Sequence, residues 1–79
     1  MNYAAWFERN PGVCGGQLVI KGTRVPVRTV LASLAEGHRV EDILKNFPGL
    51  SDEAMRAVIA FAAASAEEDI PLPQLPAVA

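Results

Sequence analysis

Seventy-nine residues make one domain at most, with a core worth only about 3–5 kcal/mol. A single cysteine, Cys14, excludes an intramolecular disulfide, and no apolar run approaches the ~20 residues of a membrane span. The net charge is −2, from seven basic and nine acidic residues, which excludes a chain that is basic throughout; any contact with nucleic acid must come from a local patch.

The first ten residues include Glu8 and lack the basic start and apolar stretch of a leader, so a cytoplasmic chain is expected. Tyr3, Trp6 and Phe7 put three aromatics into the first seven residues, a composition that predicts packing onto the body of the protein or onto a second subunit. Asn10-Pro11-Gly12 then breaks any regular element.

Residues 17–27 predict a β-hairpin. Leu18 to Ile20 and Thr23 to Val25 are short β-branched runs around Lys21-Gly22, with Gly22 supplying the positive φ of a tight turn. Pro26 ends the second run and suits a helix start. A first helix is predicted over 27–36, where Val27, Val30, Leu31 and Leu34 follow the i, i+3, i+4, i+7 spacing and Gly37 stops the chain.

A second helix is predicted over 40–47. Its stripe is Val40, Ile43, Leu44 and Phe47, its first turn holds Glu41 and Asp42, and Pro48-Gly49 ends it. The third, over 52–66, is capped by Ser51; Met55, Val58, Ile59 and Ala62 form its inner stripe, widened by Ala54 and Phe61. Glu67, Glu68 and Asp69 follow at an end where the helix dipole disfavours acids. The expected fold is mostly α: a short N-terminal β-hairpin and a three-helix bundle whose last two helices make a helix-turn-helix pair. The domain is assigned to residues 1–66. Residues 67–79 form an extended tail, since three prolines among the last ten residues oppose a helix.

The 51% apolar content exceeds that of an average domain. It predicts apolar surface that a second copy or a standing partner covers, and a homodimer is expected.

The candidate chemistry is binding rather than catalysis. His38 and Cys14 stand alone in sequence, with no nucleophile motif and no metal-ligand spacing, and no cofactor is expected. His38 reads as an exposed turn residue and Cys14 as a small buried filler. The order Lys21-Gly22-Thr23 is the reverse of a phosphate loop, in which the lysine follows the glycine. Lys21, Thr23, Arg24 and Arg28 form the candidate DNA-binding set. The alternatives are a charged hairpin edge that resists aggregation and a structural pairing of Arg24 with a carboxylate such as Glu36. The third helix, the usual reader of base edges, begins with Asp52 and Glu53, which phosphates repel, and carries Arg56 as its one cation. In the tail, Ile70, Leu72 and Leu75 are spaced apolar anchors suited to a partner's groove.

Residues 14–64 resemble the bacterial family known as domain of unknown function 433. The resemblance rests on Cys14-Gly15-Gly16 and on Val19-Ile20-Lys21-Gly22-Thr23-Arg24-Val25-Pro26-Val27. It continues through Leu31, Leu34, Glu36-Gly37, Ile43-Leu44, Phe47-Pro48, Leu50 and Ala54. Similar sequences carry a small polar cap before the second helix, where this chain has His38-Arg39. The resemblance implies a homeodomain-like three-helix fold behind a hairpin. It also implies an antitoxin role of the VapB type, in which the partner is a small toxin, a PIN-like ribonuclease, and the antitoxin regulates its own operon through operator DNA. The alternative is a stand-alone helix-turn-helix regulator without a toxin.

Overall fold

The computed structural model describes residues 1–67. A 3-10 turn, Tyr3–Trp6, leads into strand β1, Phe7–Arg9; a second 3-10 turn, Cys14–Gly16, precedes strand β2, Leu18–Ile20. Helices α1, Val27–Ala35, α2, Val40–Asn46, and α3, Asp52–Glu67, follow. The expected arrangement of a short hairpin followed by three helices holds, and each helix lies within a residue of its predicted span. Residues 68–79, with the expected anchors Ile70, Leu72 and Leu75, lie outside the described part.

The strand partner differs from expectation. β2 pairs antiparallel with β1, in the register Phe7↔Ile20, Glu8↔Val19, Arg9↔Leu18. The run Thr23 to Val25 adds one bond from Ile20 N to Val25 O, at 3.0 Å, and the bridge Val19↔Pro26. Pro26 has no N–H with which to extend that ladder. The predicted tight turn is present: Thr23 N donates to Ile20 O at 3.0 Å, with Gly22 at φ 78°.

Capping explains the helix ends. Ser51 Oγ accepts from Ala54 N at 3.0 Å, relieving one of the orphan donors at the start of α3. After α1, His38 N donates to Ser33 O and Gly37 N to Leu34 O, the paired bonds of a Schellman stop with Gly37 at φ 92°. Arg39 precedes α2 without a side-chain cap bond, as its departure from the family's polar cap leads one to expect.

The core gathers Ile20, Val27, Val30, Ile43, Leu50, Ala54, Met55 and Val58. The stripe of α3 is rotated from the predicted one. Ala54, Met55, Ala57 and Val58 are buried, whereas Ile59 is 48% exposed. Residues 54, 57, 58 and 61 share one face, and Ile59 points well away from it. Ala57, fully buried, keeps that face narrow. At the far end Tyr3, Phe7 and Phe61 form a ring cluster, with Phe7 edge-on to Phe61 at 5.7 Å and Tyr3 5.9 Å from Phe61. The N-terminal aromatics thus fasten β1 to α3.

Candidate binding surface

The structure divides the predicted cationic set. Lys21 and Arg24 are exposed at the hairpin turn. Thr23 is spent on the turn itself: its hydroxyl donates to Ile20 O at 2.7 Å and accepts from Val25 N at 3.1 Å. Its oxygen stabilises the loop that presents the two cations. Glu8, across the sheet, accepts from Gly22 N at 3.2 Å and so places a carboxylate beside them. Arg24 forms no ion pair among the described residues, and the suggested partner Glu36 lies instead 3.5 Å from His38 Nε2.

Cys14 is half-buried rather than enclosed. Its thiol donates to Arg24 O at 3.2 Å. It also takes φ 51°, a strained value for a side-chain-bearing residue, in a left-handed run with the two glycines after it. The Cys14 contact ties the loop between the strands to the segment entering α1.

Arg28 stands apart from the turn. It lines a cleft of about 360 Å³ with Arg9, Gln17, Leu18, Val27, Leu31 and Phe61. β1 and β2 supply Arg9 and Leu18, α1 supplies Val27, Arg28 and Leu31, and α3 supplies Phe61. The floor is apolar, and two exposed guanidiniums belong to the rim. Arg9 donates to Gly16 O at 3.2 Å; neither arginine pairs with a carboxylate among the described residues. Gln17 Oε1 is buried with no hydrogen-bond donor among the described residues, and a buried acceptor left so costs free energy. Arg9 and Gln17 did not stand out in sequence. The available signal was their position on either side of the loop, whose ends β1–β2 pairing brings together.

The start of α3 is acidic. Asp52 and Glu53 are exposed in the first turn of α3, and Arg56 is engaged with Asp52 at 3.4 Å, one turn along. The edge that a helix-turn-helix protein presents to bases thus offers phosphates no unpaired cation on its first turns. His38 is exposed in its loop. Among the described residues no three His, Cys, Asp or Glu side chains group as metal ligands, and no helix is long and apolar enough to cross a membrane.

The family model described as protein of unknown function (DUF433) matches residues 8–62. An uncharacterized protein of Sinorhizobium fredii, y4eO, is 45% identical over 56 residues, covering 71% of this chain and 25% of that protein's length. The crystal structure of a DUF433 member protein from Anabaena variabilis is similar with a TM-score of 0.70 at 35% identity, over 85% of this chain and 70% of that one.

Proposed function

The chain belongs to the DUF433 family, and on that premise we propose that it is an antitoxin-like module that binds and neutralises a small nuclease-type toxin, a PIN-like ribonuclease. The observation that carries this reading is the cleft between hairpin and bundle, where an apolar floor meets two guanidiniums that pair with no carboxylate among the described residues. That combination suits a protein segment bearing an aliphatic side chain and a carboxylate. Ile70, Leu72 and Leu75 are the anchors this chain offers in return. The module acts in the cytoplasm as a homodimer, which would cover the exposed edges of a two-stranded sheet.

Operator DNA is the second ligand, contacted by Lys21 and Arg24 at the turn rather than by α3. A stand-alone regulator without a toxin is the rival reading; the helix-turn-helix order of α2 and α3 favours it, and the acidic start of α3 counts against it. Co-expression with the product of the adjacent reading frame tests the first reading. Co-purification is expected, with at least a tenfold loss of affinity for R9E/R28E. Failure to co-purify, alongside a specific gel shift by the chain alone, would favour the regulator.

A further inference from the structure

We infer that the outer face of α3 is where a second copy of this chain docks, its own α3 running antiparallel. The inference rests on the homodimer reading above and is independent of the toxin. The Tyr3–Trp6 turn, α1 and α2 pack against one side of α3, on which Ala54, Met55, Ala57 and Val58 are buried. The described chain leaves the other side open: Asp52, Arg56, Ile59, Ala63, Ala66 and Glu67 are all exposed. Ile59, at 48%, is one of two large apolar side chains exposed among the described residues, the other being Met1.

The order of these residues says what covers the face. Asp52, Arg56, Ile59, Ala63 and Ala66 step by four, three, four and three, the a/d spacing of a two-helix seam. At about 100° per residue they keep to a strip about 80° wide, opposite the buried residues. The alanines let two helix axes approach to about 8 Å, the close end of the packing range. Charge then sets the direction. A parallel copy stacks Asp52 on Asp52, Arg56 on Arg56 and Glu67 on Glu67. An antiparallel copy, its two-fold axis level with residue 61, sets Ile59 against Ala63 of the second copy. Arg56 then meets Glu67 of the second copy on the same side of the seam, within about 2 Å of level at 1.5 Å per residue. The two-fold makes that pair twice. The acidic first turns lie about 27 Å apart at opposite ends. Arg56, the one cation of α3, is 3.4 Å from Asp52 of its own helix and so bridges a carboxylate from each copy.

Sedimentation equilibrium of the full chain, from micromolar to millimolar concentration, is expected to show dimers. I59E, at an exposed position away from the core, should weaken them roughly tenfold or more, with helical circular dichroism unchanged. R56E and E67R should each weaken them, and R56E/E67R should restore them, since the pair re-forms with its signs exchanged. NMR on a mixture of differently labelled chains should show contacts from the Ile59 methyls of one chain to Ala63 of the other. A monomer at every concentration overturns this inference and the homodimer reading together. Dimers that keep their full strength in I59E, or that lack the Ile59 to Ala63 contacts, overturn this inference alone and leave the sheet edges as the interface. A double variant no tighter than R56E overturns the antiparallel pairing. Contacts from Ile59 to residues 68–79 of its own chain overturn the inference in favour of the tail.

Discussion

Two regions of the molecule carry opposite charge: the hairpin with the start of α1, and the first turn of α3. In the hairpin Arg9, Lys21 and Arg24 are exposed, as is Arg28 in the first turn of α1, with Glu8 bonded to the turn at Gly22 N. At the start of α3, Asp52 and Glu53 lead, and Arg56 is engaged by Asp52. Helix capping explains the acidic end: carboxylates in a first turn stabilise a helix, and Ser51 completes the arrangement. No comparable cap or ion pair among the described residues accounts for the cations. The shape of a helix-turn-helix pair is thus kept while the side chains that would read DNA from α3 are absent from its first turns.

Phe61 fastens β1 to α3, and its removal is the strongest way to break the comparison. Phe61→Ala is expected to cost about 2–3 kcal/mol, below the 3–5 kcal/mol of a fully enclosed phenylalanine because Phe61 is half-buried. β1 should detach and α3 should persist. A urea melt followed by Trp6 fluorescence and by helical circular dichroism would then separate into two transitions. A single coincident loss would show that β1 and the helices unfold as one unit.

Ser51→Ala isolates the acidic end. A loss of about 1 kcal/mol is expected, confined to the first turn of α3 and read as faster amide exchange at Ala54, whose N–H loses its acceptor. Unchanged exchange at Ala54 would remove the cap from the account.

The cationic turn is the subtlest to perturb. Lys21→Ala and Arg24→Ala are each expected to change stability by less than about 0.5 kcal/mol, as exposed positions do. If operator DNA is bound there, each should lower the salt dependence of binding by about one phosphate contact. Arg56→Ala should leave that dependence unchanged. The reverse pattern in a salt titration would move the contact to α3.

The helices were legible because their spacing, caps and stops agree: Val27 with Val30, Ser51 before Asp52, Gly37 after Glu36. Within them, Ile59 was misplaced because alanines blur a periodic signal. Ala57 carries the buried position that a larger residue would have announced. The partner of β2 was not legible for a different reason. Phe7-Glu8-Arg9 is three residues long with no β-branched member, and what makes it a strand is the seat of Phe7 against Phe61, a contact far off in sequence. The cleft shared that fate, since Arg9 and Gln17 meet only once that pairing exists. Of the expected DNA-binding residues, Thr23 belongs to the turn and Arg28 to the cleft, a division that only the folded backbone reveals.

The ring cluster of Tyr3, Phe7 and Phe61 also sets an order in time. Contacts within α1, α2 and α3 are local and close quickly, whereas Phe7 must find a partner near the other end of the described chain. β1 is therefore the last element to dock during folding and the first to lift away in native-state fluctuations. Its amides should lose protection well before those of Val30 or Val58, opening the sheet edge on a timescale on which the helical core remains intact.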